Sequence, residues 1–321
     1  MIDFINYALS EIRKNYSDRW WWRQRLQDYL IGPTQSRLYG DDGIEVMDED
    51  WDNLVLIDAC RRDIFETEIG VDQFDEYRVV RSQGSATPEW IQENFTGKKF
   101  GDTVYVSANP WVSKFAKDSF HHVENIWMKK FDVSVETIVE SDVIKDTGAD
   151  NSRPVDAETL NIHAKRMAEE YPEKRLLVHY FQPHAPYIGN RDGSLKDPSE
   201  VDADFHPGKP LKDGKVDKGA VWEAYTYNLH YVWHHAQQLI EELDGKTVVT
   251  SDHGEMFGEW QKPFPIRGYD HPPNLRHPQL VNVPWAVVDR DRRTITDDGV
   301  SRTDVDEQVV NDRLTDLGYK V

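Results

Sequence analysis

KTVVTSDHGE, residues 246–255, is the stretch on which the reading of this chain turns. Thr247, Val248 and Val249 make a short apolar strand, and Asp252-His253-Gly254 closes it. A carboxylate beside an imidazole at the mouth of a buried strand makes poor core and a good ligand pair for a hard or borderline cation. Gly254 is expected to let the backbone turn tightly behind them. Taken alone, the segment reads equally well as an ordinary strand-to-loop turn. Matching chemistry at other strand ends decides between the two.

Working outward, the first core strand is expected at residues 53–58 (NLVLID), followed by a helical start at 59–66. A second strand at 77–81 leads into the polar loop 82–87 and a helix from Pro88 to Phe95, with Pro in its first turn and Thr just before as start signals. Further strands are expected at 103–107, 175–181 and 283–288, and amphipathic helices at 156–171, 219–243 and 304–317. Residues 189–218, rich in Gly, Pro, Asp and Lys, read as a long surface excursion near the site. Strands alternating with helices define an α/β fold: a doubly wound, mostly parallel sheet with helices on both faces, in three α/β/α layers. An N-terminal helical arm, residues 1–45, is expected to precede a single catalytic domain, residues 46–321.

Acidic residues outnumber basic ones 58 to 38, giving a net charge of −20. A field of that sign repels nucleic acid and anionic lipid, which argues against both as partners of the bulk surface. The acids are dispersed, as in MDEDWD at 47–52, the pattern of a carboxylate coat that stays hydrated in high salt and so of a halophilic surface. A single cysteine, Cys60, leaves no disulfide framework and reads as a small core residue. No secretory signal and no run of about 18 apolar residues is legible, so the expected location is the cytoplasm.

The arm carries apolar residues at Phe4, Ile5, Ala8, Leu9, Ile12, Trp21, Trp22, Leu26 and Leu30, and Gly32-Pro33 is expected to end it. Trp20-Trp21-Trp22 beside Arg23 and Arg25 reads as packing on its own domain or on a partner subunit; the competing reading is an anchor on a membrane surface.

In doubly wound sheets ligands sit outside the carboxyl ends of the strands. Asp58 follows the first strand, and Ser82, Ser85 and Thr87 follow the second. His184 follows the strand at 175–181, Asp252 and His253 follow the next, and His271 stands just before the last. Asp58, Asp252 and His253 are enough to fix a divalent cation with open positions, which would lower the pKa of a coordinated Thr87 hydroxyl. Thr87, at the start of a helix, is the expected nucleophile, with Ser85 second and Ser82 third, and the helix N-terminus offers N–H groups to an anion. His184 and His271 can donate to non-bridging oxygens or assist the leaving group.

The order of these motifs resembles the alkaline phosphatase superfamily, and within it the sulfatase-like branch. LIDACRRD at 56–63 is similar to that branch's Asp-x-x-Arg-x-Asp, GSATPEW at 84–90 stands at the nucleophile loop, and HAPY at 184–187 is similar to its His-x-Pro-Tyr. TSDHGE at 250–255 is similar to its metal signature, and His271 ahead of VPW to its late histidine. The resemblance implies a metal-dependent enzyme with Mn, Zn, Mg or Ca bound at Asp58, Thr87, Asp252 and His253. It also implies a small-molecule, glycan-linked or lipid-linked phosphate or sulfate ester at His184, His271 and Arg61. The chain lacks the Cys/Ser-x-Pro/Ala-x-Arg motif of formylglycine sulfatases, and Ile57 rather than a second Asp precedes Asp58. Both departures favour phosphate, handled by a hydrolase or a transferase. The alternatives are a sulfatase using an unmodified hydroxyl and a non-catalytic scaffold of the same fold.

Several of these residues also have plain readings. Arg61 reads equally as a surface ion pair, and His179 as a core or supporting histidine. His121-His122 and His234-His235 are read as helical neighbours that point apart and cannot chelate as pairs. His277 is the rival of His271, while Glu255 and Glu259 suit carboxylates that orient other site groups.

Overall fold

The computed structural model describes residues 10–128, 154–197, 207–301 and 305–319. Phe4, Ile5, Ala8 and Leu9 of the expected arm, residues 198–206 of the polar excursion and Asp304 lie outside these.

Asn53–Ile57 (NLVLI) is buried at every position, because an apolar run with no alternation leaves no face for water. It forms β1, in the middle of the sheet. The remaining strands are β2 (Glu76–Arg81), β3 (Phe100–Ser107), β4 (Phe120–Asn125) and β5 (Arg175–Tyr180). After them come β6 (Thr247–Thr250), β7 (Met256–Trp260), β8 (Arg267–Asp270) and β9 (Asn282–Val288). Seven make one mixed sheet in the order β2-β9-β6-β1-β5-β3-β4, while β7 and β8 form a separate hairpin.

The pairs from β6 through β1, β5 and β3 to β4 are all parallel. β9 is antiparallel to both β6 and β2, so β2 recovers the common direction. One edge of the sheet therefore collects the carboxyl ends of six strands and the amino end of β9. The expected mostly parallel α/β sheet with helices on both faces is the fold observed.

Side-chain alternation along β5 separates the two faces. Tyr180 donates to Asn161 of the helix Ala157–Glu170 on one side. His179 meets Trp90 of the helix Thr87–Phe95 on the other, with ring centroids 6.1 Å apart. The 25-residue helix Lys218–Glu242 packs beside Ala157–Glu170, its N-terminus capped by Asp217.

Four local expectations are corrected. Residues 59–61 are not helical: Ala59 stands in a turn at φ 56, and regular helix begins only at Arg62. Gly254 has no positive φ; it is glycine because a Cβ there would stand 2.0 Å from the Gln279 carbonyl oxygen. His121 and His122 lie on β4 rather than on a helix.

The last correction concerns the arm. It does not end at Gly32-Pro33, since helical structure runs on from Arg19–Leu26 through Gln27–Ile31 and Gly32–Tyr39. Pro33 does not stop it: Ile31 and Gly32 keep right-handed helical dihedrals into the last segment, with Pro33 standing near its start. Ile31 and Leu26 pack with Met256, Leu275, Leu280 and Val281, and Arg23 donates to the Arg267 carbonyl, so the arm docks on its own domain.

Candidate active site

Every side chain expected at the site hangs from the edge where the strand ends converge. Asp58 ends β1 and Asp252 follows β6, both fully buried. Asp252 Oδ1 accepts from the N–H groups of Ala59 at 3.1 Å and His253 at 2.9 Å, which ties the two strand ends together. The strained turn at Ala59 is what aims its N–H at Asp252. Asp58 Oδ2 accepts from Asn109 Nδ2 at 2.7 Å.

Three buried polar atoms at this point have no hydrogen bond of ordinary geometry: Asp58 Oδ1, Asp252 Oδ2 and His179 Nε2. One ligand atom from each of the same three residues lies within 4.8 Å of the others. Buried carboxylate oxygens left without donors are costly. Burial and the charge of Asp252 push Asp58 up from its ordinary pKa. Burial works against the Asp252 charge as well, but His253, His179, Thr87 and the Ala59 N–H outweigh it and hold that carboxyl low. Two acids and an imidazole that are short of donors suit a divalent cation.

His179 Nδ1 lies 2.8 Å from the Tyr105 hydroxyl. If its proton goes to Tyr105, Nε2 keeps a lone pair facing Asp58 Oδ2, 3.6 Å away. The sequence marks His179 as a core or supporting histidine because it sits inside a strand rather than beyond its end. Asn109 was not anticipated either, although Ala108-Asn109-Pro110 beyond β3 follows the same strand-end pattern.

Thr87 begins its helix and is 1 % exposed, and its Oγ1 lies 3.2 Å from His253 Nε2. His253 Nδ1 faces the Gly254 carbonyl at 2.8 Å, and a carbonyl only accepts. The neutral ring therefore carries its proton on Nδ1 and presents the Nε2 lone pair to Thr87. His253 Nε2 is also 3.3 Å from Asp252 Oδ2 and 3.8 Å from Asp58 Oδ1. The other hydroxyls are engaged elsewhere. Ser85 Oγ lies 3.0 Å from Glu89 Oε2 and 2.8 Å from the Pro272 carbonyl, and accepts from Leu275 N–H. Ser82 Oγ donates to the Asp252 carbonyl.

Histidines continue the site outward. The rings of His253 and His271 are 4.5 Å apart, and those of His271 and His184 4.9 Å. His271 reaches this edge because β9 runs antiparallel, which brings the segment before it to the ends of the other strands. Glu255 Oε2 holds His271 Nδ1 at 2.8 Å. Burial opposes charge on that ring, but Glu255, then Asp270 and Asp58, override it and raise its pKa to about 9. His277 lies elsewhere and caps the short helix Pro278–Val281.

Arg61 is 2 % exposed and fully engaged. It binds Asp63 through Nε at 3.0 Å and a terminal nitrogen at 2.6 Å, and its other terminal nitrogen reaches Glu259 at 2.7 Å and the Glu255 carbonyl at 3.2 Å. With Trp222 and Phe257 against its plane, it braces the segment that carries Glu255.

A seven-stranded mixed α/β sheet thus gathers carboxylates and imidazoles of metal-ligand type at one edge. No protein-family model and no curated protein matches the chain. Among solved structures it is similar to the C-terminal periplasmic domain of phosphoethanolamine transferase EptC from Campylobacter jejuni, at 15% identity and TM-score 0.42, over 73% of this chain and 77% of that one. The corresponding EptC domain from Escherichia coli, in complex with Zn, is similar at 16% identity and TM-score 0.43, over 75% and 72%. The integral membrane lipooligosaccharide phosphoethanolamine transferase A from Neisseria meningitidis is similar at 15% and 0.42, over 74% of this chain and 47% of that one. At this level of likeness, the chemistry of this chain has to be read from its own residues.

The cytoplasmic location expected from the sequence is corrected. Two of these similar structures are periplasmic domains, and the expectation rested only on missing apolar segments. No helix among the described residues is long and apolar enough to cross a membrane, and that absence assigns no compartment.

Proposed function

We propose that this protein is a metal-dependent enzyme that transfers the phosphoryl group of a phosphate ester or diester to Thr87 and then to water or an alcohol. The observation that carries the reading is the 3.2 Å contact of Thr87 Oγ1 with His253 Nε2, beside buried atoms of Asp58, Asp252 and His179 that lack donors. Asp58, Asp252 and His179, with His253 and Thr87 beside them, would hold a divalent cation, which when bound supplies positive charge for the phosphoryl oxygens and for an ionised hydroxyl. An imidazole among carboxylates suits zinc or manganese better than calcium.

Thr87 Oγ forms the new bond to phosphorus while the bond to the departing alcohol breaks. The N-terminal turn beneath Thr87 turns its N–H groups toward the phosphoryl oxygens. His271, anchored by Glu255, lines the opposite side as a donor to those oxygens and to the leaving alkoxide, with the His184 ring packed against it. The His253 lone pair has two uses, as a ligand or as the acceptor of the Thr87 proton; the sequence resemblance implies the first. A water acceptor makes the protein a hydrolase, and an alcohol makes it a transferase. Phosphoethanolamine transfer, the activity named for the similar structures, is the transferase form of the same chemistry.

The test is turnover of aryl phosphate monoesters, aryl phosphate diesters and aryl sulfates by the zinc- and manganese-loaded protein, with mass mapping of any adduct. A phosphate-derived adduct on Thr87 supports the reading. Turnover of sulfate alone, or an adduct on another residue, overturns it.

A further inference from the structure

Tyr319 lies 135 residues from His184 in the chain, yet its hydroxyl is 3.2 Å from His184 Nε2. The phenol ring stacks on the imidazole, with centroids 5.7 Å apart and planes at 29°. It also meets Trp111 edge-on at 5.5 Å. Trp111 is itself stacked on Phe115 within the short helix Trp111–Phe115. His184 Nδ1 faces the Ala185 carbonyl, so Nε2 accepts and Tyr319 donates.

This placement is built rather than incidental. The helix Glu307–Asp316 is anchored by fully buried Leu314. It ends with Tyr319 N–H on the Leu314 carbonyl and Gly318 N–H on the Thr315 carbonyl, both at 2.9 Å, with Gly318 at φ 86. That is the Schellman pattern, which fixes the residue after the glycine and turns it back along the helix. Burial, then the charges of Asp58, Asp252 and Glu255, push the phenol's ionisation well above its ordinary value, so the hydroxyl remains a donor.

We propose that Tyr319 is a specificity-determining residue: with Trp111 it forms an aromatic wall over His184 that limits the alcohol group kept on phosphorus, as distinct from the departing one, to a small group. A helix-anchored ring at this point takes up the space beside His184 that a bulky alcohol would need. The proposal rests on the phosphate-ester reading. Neither Tyr319 nor Trp111 belongs to the chemistry assigned to Thr87 and the buried acids.

The experiment compares methyl 4-nitrophenyl phosphate with phenyl 4-nitrophenyl phosphate for wild type, Tyr319→Phe, Tyr319→Leu and Tyr319→Ala. Wild type is expected to favour the methyl diester. Tyr319→Ala should shift the ratio of kcat/KM by about tenfold or more toward the phenyl diester, with Tyr319→Leu between, while Tyr319→Phe keeps the wild-type ratio. The same ratio is read without turnover from calorimetric binding of methylphosphonate and phenylphosphonate to the zinc-loaded protein. An unchanged ratio in Tyr319→Ala, or an equal gain for both compounds, overturns the proposal. A wild type that turns over neither diester but binds the phosphonates with the expected ratios removes the catalytic reading and leaves the wall standing. A wild type that binds neither phosphonate overturns both.

Discussion

Thr87 Oγ1 and His253 Nε2 lie 3.2 Å apart although 166 residues separate them in the chain. The contact exists because β2, which leads to Thr87, and β6, which leads to His253, run in the same direction on either side of β9. A helix start and a strand end thus meet at one edge with a hydroxyl facing an imidazole lone pair. Thr87→Ala is expected to lower kcat/KM on an aryl phosphate diester by at least about a thousandfold, because the hydroxyl proposed to form the covalent bond is gone. Thr87→Ser should retain part of the activity. Near-normal turnover in Thr87→Ala together with loss in Ser85→Ala would transfer the role to Ser85.

Metal affinity should follow the donor-poor atoms. Asp252→Asn is expected to weaken zinc binding by at least about a hundredfold, and His179→Ala by about ten- to a hundredfold, as read by competition with a chelating dye. Affinity unchanged in His179→Ala would assign that ring to supporting Asp58 and Tyr105 only. Saturating metal should raise Tm of the wild type and leave that of Asp252→Asn almost unmoved.

Acid stability should report on His277. Its Nδ1 accepts from Gln279 N–H at the helix cap, and its Nε2 faces the Trp260 carbonyl, so the ring is neutral in the fold. Burial lowers its pKa below the ordinary 6.5. The unfolded chain therefore takes up this proton first as pH falls. The stability held above pH 6.5 is then lost progressively below it, down to the folded value. His277→Asn, which caps without titrating, should flatten urea-unfolding stability over that window, whereas an unchanged slope would assign the acid sensitivity elsewhere.

A control for stability lies at the opposite edge of the sheet. Asp52 is fully buried and receives Arg292 through two bonds, at 2.8 and 2.9 Å, and Lys246 N–H at 2.9 Å. Asp52→Ala should cost about 2–3 kcal/mol, somewhat below the usual cost of breaking a buried pair because Arg292 is 43% exposed and regains water. Chemical denaturation measures it, and zinc affinity should not change. A parallel loss of zinc affinity would mean that the two edges of the sheet are coupled.

Much of this candidate site's make-up is legible along the chain, and what escaped did so for identifiable reasons. Asp58, Asp252 and His184 each stand just past an apolar run, and loops beyond strand ends are where an α/β sheet exposes chemistry. His179 escaped because an in-strand residue at helix-facing register looks like core until its Nε2 is found without a partner. Arg61 beside Asp58 suggested an anion clamp, but Asp63 and Glu259 close around it. The hairpin β7–β8 gives no strand signal along the chain because its strands are short and interrupted by Gly258 and Gly268.

By itself the sequence determined the strand-and-helix alternation, the residue types at the strand ends and their order, because apolar periodicity and turn chemistry are local properties. Only the tertiary structure decided which of those residues share one volume. The reversed direction of β9 brings His271 to His253, and the closing turn after Glu307–Asp316 carries Tyr319 onto His184. Neither contact has a local signal, since each depends on where a whole element packs rather than on its own residues.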